Sequence, residues 1–239
     1  MANPTAAMLV IGDEILSGRT RDSNMYTLAG ELTRIGITLA EVRVVADDHA
    51  AIVAALRALS ASFDHVFTSG GIGPTHDDIT ADAVADAMGA SIGHRADAMA
   101  LLAAHYDRAG LPFNDARQRM ARIPEGAVLI DNPVSTAPGF TLRNLHVMAG
   151  VPNIFQAMLA SLLPKLTGGA PLLSQSLRVN RGEGEIAGPF GDLAADYPAL
   201  SMGSYPFLQN GAHGTNLVIR GTDAALLNEA MLKLTRMFG

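Results

Sequence analysis

Cysteine and tryptophan are both absent from the 239 residues. Without cysteine there is no disulfide framework, no thiolate nucleophile and no thiolate metal ligand. Aromatic residues make up only 5% of the chain, too few to supply a base-stacking platform. Basic residues are also short: 17 Lys and Arg stand against 23 Asp and Glu, and they are scattered rather than gathered into a stripe. A dedicated nucleic-acid binder is therefore not expected. No run approaches the roughly 18 apolar residues that span a bilayer, and residues 1–7 lack the basic-then-apolar order of an export signal. The expectation is a cytoplasmic protein without a membrane partner. What the chain does have is 49% hydrophobic and 17% charged residues, enough apolar material for one or two ordinary cores.

The densest concentration of special residues lies at 66–82: Val66-Phe67-Thr68-Ser69-Gly70-Gly71-Ile72-Gly73-Pro74-Thr75-His76-Asp77-Asp78-Ile79-Thr80-Ala81-Asp82. A β-type run at 65–68 enters it. Three glycines then let the backbone take positive φ and come close to a ligand. An Asp/Thr-rich segment opens a helix whose free N–H groups favour an anion. A glycine-rich turn with an Asp cap uses the same residues, so the pattern alone has two readings. Two adjacent aspartates at a phosphate-binding turn make chemical sense when a divalent cation such as Mg²⁺ bridges carboxylate and phosphate. A dinucleotide fingerprint would follow the first strand as Gly-x-Gly-x-x-Gly, and a P-loop would carry Gly-Lys-Ser/Thr. Neither occurs.

Taken in order, the apolar run 6–11 predicts a strand buried on both faces, ended by Gly12-Asp13-Glu14. Ser23 caps a predicted helix with Tyr26, Leu28, Leu32 and Ile35 on one face, closed by Gly36. A strand over 37–45 delivers Asp47 and Asp48 ahead of a helix over 50–59; the pair serves either as helix caps or as pocket carboxylates on the same rim as Asp77 and Asp78. Helices are expected over 80–88, 95–109 and 115–122, the last carrying Arg117, Arg119 and Arg122. A strand at 127–130 leads to Asp131-Asn132-Pro133, and Ser135 to Gly139 offers hydroxyls and small side chains beside room for a flat ring. A hairpin turning at Asn144 and a helix over 154–163 complete the unit. Alternating strands and helices predict an α/β fold with a mostly parallel sheet over 1–167. After the linker Thr167-Gly168-Gly169-Ala170-Pro171, residues 171–239 predict a small α+β domain: strands at 172–179, 201–208 and 216–220, a helix over 186–197 interrupted at Pro189, and a helix over 223–238 capped by Asp223.

Ser69-Gly70-Gly71-Ile72-Gly73-Pro74-Thr75 followed by Asp77-Asp78-Ile79-Thr80 resembles the signature of the MoaB/Mog molybdopterin-binding domain family, most closely its CinA-type (competence/damage-inducible) version. Gly12 to Gly18, Asn24, Val45 to Asp48, Asp131-Asn132-Pro133, Thr136 to Phe140 and Gly150-Val151-Pro152 fall in the same order. The resemblance implies a three-layer αβα domain that binds molybdopterin or a nucleotide-like phosphate at the carboxyl edge of the sheet. It implies Asp78, Asp48 and Asp77 as catalytic carboxylates, with Asp78 and Asp48 (or Asp47) holding a divalent cation. Ligand contacts are expected from Gly12, Asp13, Glu14, Asn24, Asp47, Ser69, Gly70, Gly71, Gly73, Pro74, Thr75 and Thr80, and from Asn132, Pro133, Ser135, Thr136, Gly139, Gly150 and Pro152.

CinA-type domains are similar to metal-dependent pyrophosphatases that cleave ADP-ribose or related dinucleotides, and Mog-type relatives adenylylate molybdopterin or insert molybdenum. A homo-oligomer, dimer or trimer, is implied as well. Four positions depart from the pattern. His76 stands where a lysine is common, Ser135 where a glycine is usual, Ala149 replaces a proline and Ile154 replaces a glutamate. The expected activity is hydrolysis of a nucleotide pyrophosphate, with molybdopterin handling or ligand binding without turnover as the alternatives. The sequence ends after the small domain, so no C-terminal amidase domain or nicotinamide-nucleotide deamidase role is expected.

Overall fold

The computed structural model describes residues 3–209 and 211–239. The chain forms two compact units, Met1–Gly169 and Ala170–Gly239.

In the first unit the order is β1 (Thr5–Ile11), α1 (Asp13–Leu16), α2 (Asn24–Arg34), β2 (Thr38–Val45), α3 (His49–Ser62), β3 (His65–Ser69), α4 (Thr80–Met88), β4 (Ile92–His94), α5 (Ala96–Arg108) and α6 (Asp115–Gln118). A 3₁₀ turn at Arg119–Ala121 follows, then β5 (Arg122–Pro124), β6 (Val128–Ile130), β7 (Gly139–Leu142), β8 (Leu145–Met148) and α7 (Pro152–Leu162). Six strands make one sheet in the order β2-β1-β3-β8-β7-β6, and β7 is the strand that runs against the others.

β1 sits inside this sheet, and its run of apolar residues has a direct cause. Ala7, Leu9 and Ile11 enter a core that includes residues of α3, α4 and α5. The intervening Ala6, Met8 and Val10 enter a second core with Leu28 and Leu32 of α2 and Phe155, Met158 and Leu159 of α7. A strand covered on both faces cannot alternate, whereas the edge strand β2 does, exposed and half-buried residues taking turns along its length. These are the three αβα layers, with a mostly parallel central sheet.

The helix expected over 115–122 is shorter. Asn114 caps α6 by accepting the Arg117 N–H at 3.1 Å, but the helical turns end at Ala121, and Arg122 is already extended and pairs with His94 across β4 and β5. Pro124 accounts for the stop, because the residue before a proline is pushed out of the helical region and Ile123 is β-branched.

The second unit comprises β9 (Leu173–Val179), α8 (Glu183–Asp196), β10 (Ser201–Gln209), β11 (Ala212–Gly221) and α9 (Ala224–Phe238), with an antiparallel sheet in the order β10-β11-β9. Its core joins Val179, Leu217 and Ile219 of the sheet to Ile186, Leu193, Leu227 and Leu234 of the helices. Asp223 caps α9, accepting from the Ala225 and Leu226 N–H groups. β10 runs one residue past its expected end, and two elements are longer by more. β11 has ten residues, and α8 begins at Glu183 and continues through Pro189, which lies on its exposed side where water can serve the carbonyl that proline leaves unpaired. Among the described residues no helix is long and apolar enough to cross a membrane.

Candidate functional site

In a sheet of this topology the carboxyl ends of β1, β2, β3, β6 and β8 share one rim. The reversed strand β7 contributes its amino end there, since Gly139 pairs with Ile130. A cleft of about 520 Å³ opens on this rim. Gly12 and Glu14 reach it from the end of β1, Asp47 from β2, Gly70 to Pro74 from β3, Asn132, Ser135 and Ala137 from the β6–β7 loop, and Ala149 to Pro152 from β8.

The glycine loop is fixed from behind. Gly70 has φ +111°, and a Cβ there would run into the Ile11 carbonyl; Gly71 has φ +68°, and a Cβ there would meet the Thr80 hydroxyl. Glycine is demanded at both positions by conformation and by space. Thr80, fully buried at the start of α4, donates its hydroxyl to the Gly70 carbonyl at 3.0 Å and its N–H to the Gly71 carbonyl at 3.0 Å. Asn24, buried at the start of α2, donates through Nδ2 to Ser69 Oγ at 2.8 Å and to the Gly150 carbonyl at 2.7 Å. Asn132 folds its own loop: Nδ2 donates to Ser135 Oγ and the Ala137 carbonyl, and Oδ1 accepts from the Val134 and Ser135 N–H groups.

Four carboxylates line the cleft: Glu14, Asp47, Asp77 and Asp78. Asp78 Oδ2 accepts from the Thr75 N–H at 2.8 Å and the Thr75 hydroxyl at 2.5 Å, so its second oxygen is the one left for other partners. Asp47 accepts the Asp13 N–H at 2.9 Å. Burial pushes the Asp47 carboxyl up, the Asp13 N–H opposes this, and the neighbouring Asp13, Glu14 and Asp77 charges push it up further. Among the described residues no three His, Asp or Glu side chains converge into a complete metal site. The donor set still fits a hard cation such as Mg²⁺, which commonly takes one or two carboxylates and completes its shell with water and substrate phosphate.

The structure sorts the residues expected from sequence. Gly12, Glu14, Asp47, Gly70, Gly71, Gly73, Pro74, Asp77, Asp78, Asn132, Ser135, Gly150 and Pro152 line the cleft. Asp48 does not. Its carboxylate accepts the Ala51 N–H at 2.8 Å and caps α3, so the carboxylate of this pair that faces the cleft is Asp47. Asp13 contributes its backbone to holding Asp47, and Asn24, Ser69, Thr75 and Thr80 hold the loops rather than line the space. Pro133 lies in an exposed turn, Gly139 is buried in β7, and Thr136 adopts φ +67° with its hydroxyl 3.0 Å from His105 Nδ1. The sequence reading missed the apolar lining residues Ile11, Ile72, Met120, Val151 and Met158, which stand in the cleft wall with Thr20. Their spacing announces nothing, because an apolar side chain looks the same in a core and on a pocket floor.

Residues 7–168 match the family model described as "Probable molybdopterin binding domain", and residues 171–239 match that of the FAD synthase middle domain. A protein of Pyrobaculum calidifontis is 34% identical over 213 residues, covering 85% of this chain and 81% of that protein. A CinA-like protein of Citrifermentans bemidjiense is 40% identical over 167 residues, covering 68% of this chain and 40% of its own, so this chain spans less than half of that relative. The crystal structure of CinA from Thermoplasma acidophilum superposes with a TM-score of 0.63 at 32% identity, over 68% of this chain and 97% of that one. With the glycine loop, the acidic wall and the strand order in place, the chain belongs to the MoaB/Mog-like molybdopterin-binding-domain family, with CinA-like proteins among its relatives.

Proposed function

We propose that the cleft binds a dinucleotide of the ADP-ribose type and hydrolyses its pyrophosphate with a divalent cation. The observation that carries this reading is the pairing, on one rim, of a glycine loop forced into ligand-approaching backbone with an acidic wall of Glu14, Asp47, Asp77 and Asp78. Loop N–H groups hold a phosphate. Asp78 and Asp47 are the carboxylates for the cation, Asp47 in place of Asp48. A bound Mg²⁺ would neutralise charge on the phosphates and acidify the attacking water. Water forms the new P–O bond, the bridging P–O bond breaks, and ADP-ribose yields AMP and ribose 5-phosphate. Ile72, Ala149, Val151, Ile154 and Met158 supply an apolar surface for a flat ring.

The test is product analysis with ADP-ribose, FAD and NAD, with and without Mg²⁺ or Mn²⁺, beside Asp78→Asn. Metal-dependent release of AMP that the variant lacks supports hydrolysis. Absence of product from all three with every metal overturns it. A second reading, molybdopterin binding, is favoured by the family match over residues 7–168 and by the same apolar floor. It predicts thermal stabilisation by a pterin phosphate without turnover.

A further inference from the structure

The cleft has an electrostatic deficit. Among the described residues its lining includes four carboxylates and neither lysine nor arginine. The loop supplies no fixed cation of its own, since His76 is 98% exposed at its side chain and lies 4.0 Å from Asp77. A ligand phosphate would arrive as an anion at an acidic wall, and apart from a divalent cation on those carboxylates the lining offers it only backbone N–H groups and neutral side chains.

Behind the loop lies a second, smaller cavity of about 20 Å³, which shares Gly71, Ile72, Gly73, Asp78 and Met120 with the cleft as a common wall. Two arginines line it. Arg122 is paired with the Asp82 carboxylate and partly neutralised. Arg119 has no carboxylate partner among the described residues. Its Nη2 lies 3.4 Å from the Asp78 backbone carbonyl, a long contact, and its Nε is shielded from solvent with no hydrogen-bond partner among the described residues. A guanidinium is planar, always charged and suited to phosphate, and leaving one of its N–H groups buried and unpaired costs free energy that a fold rarely tolerates without use. The 3₁₀ turn that carries it also sends the next residue, Met120, to the cleft wall, so the turn links the two cavities.

We propose that Arg119 is the phosphate-charge residue of this site, supplying from behind the glycine loop the fixed positive charge that the cleft lining lacks. It acts as a positioning residue, anchoring the loop at the Asp78 carbonyl while its charge raises the affinity of the loop N–H groups for a phosphate on the opposite side. This rests on the reading of the cleft as a phosphate site.

The experiment is calorimetric titration of the full chain with ADP-ribose at two salt concentrations, for wild type, Arg119→Met and Arg119→Lys. The loss of one charge-assisted contribution weakens binding about tenfold in Arg119→Met. The salt dependence becomes shallower in that variant, and Arg119→Lys stays within about threefold of wild type. A purely structural role would weaken Met and Lys variants alike and leave the salt slope unchanged, and either result overturns the assignment. So does an Arg119→Met protein that binds as tightly as wild type. If Arg119→Met does not fold, Arg119→Gln replaces it and is read by the same criteria. Wild type that binds neither ADP-ribose nor AMP nor inorganic pyrophosphate overturns the phosphate-site reading itself, a result distinct from a wild type that binds and an Arg119 variant that matches it.

Discussion

The Asn24 side chain spans the rim, its Nδ2 donating to the Gly150 carbonyl at 2.7 Å from a residue 126 positions earlier in the chain. The same amide group reaches Ser69 at 2.8 Å, so α2, the end of β3 and the loop after β8 are held by one buried nitrogen. Asn24→Ala leaves the Gly150 carbonyl and the Ser69 hydroxyl short of a donor. Stability should fall by about 2 kcal/mol, read as a lower urea midpoint, and ligand affinity should fall with it because both loops line the cleft.

Asp48 and Asp78 should separate cleanly. Asp48→Ala removes the α3 cap seen in its bond to the Ala51 N–H and should cost about 1 kcal/mol in urea unfolding while leaving ligand binding at the wild-type level. Asp78→Asn keeps the size of the side chain at the cleft wall and should abolish metal-dependent turnover. Equal effects of the two changes on binding would contradict the division between cap and site.

Gly71→Ala should be among the most damaging small substitutions in the loop. The residue has φ +68°, and the added methyl would press on the Thr80 side chain that holds the turn. A loss of about 1–3 kcal/mol, together with weakened ligand binding, is expected. The same change at Gly30, where a Cβ meets open space within α2, should be neutral or stabilising by about 0.5–1 kcal/mol.

A buried histidine pair gives the fold a pH dependence of predictable sign. His146 of β8 lies 3.1 Å from His65 of β3, and its other ring nitrogen is 3.0 Å from the Thr141 hydroxyl. Burial, reinforced by the His65 charge, pushes His146 down from 6.5 to about 3, and burial lowers His65 as well, against the opposing Asp64 charge. His146 stays neutral in the fold over the range in which the unfolded chain takes up a proton, and His65 gives up its proton more readily in the fold than in the unfolded chain. The contribution of this pair to stability is therefore level above pH 6.5 and falls below it, by up to about 1.4 kcal/mol per pH unit for His146, with His65 adding a drop of the same sign. Urea midpoints at pH 7.5 and 5.5 should show the drop, and His146→Gln should flatten it.

The buried architecture was legible in the sequence because burial on two faces leaves an unbroken apolar run: β1 and the glycine loop after β3 were read almost residue for residue. Gly70 and Gly71 announced themselves because few other residues tolerate their backbone. The choice between Asp47 and Asp48 was not legible. Adjacent aspartates look alike in sequence, and which one turns inward depends on where β2 ends and α3 begins. The apolar floor of Ile72, Met120 and Met158 stayed hidden because pocket and core share one composition. The helix expected to run to 122 stops at Ala121, a difference of one residue set by Pro124 just beyond it.

β8 is the last strand of its sheet to be synthesised and yet lies near its centre, between β3 and β7. A ribosome-bound chain that has emerged only to Leu142 lacks the partner on which both strands close, and it lacks the Ala149–Pro152 side of the cleft altogether. The glycine loop is complete in sequence from residue 73, yet the Gly70 N–H has its acceptor, the Met148 carbonyl, only after β8 docks. The cleft lining is thus complete only once β8 and the start of α7, as far as Met158, have been made and have packed against β3.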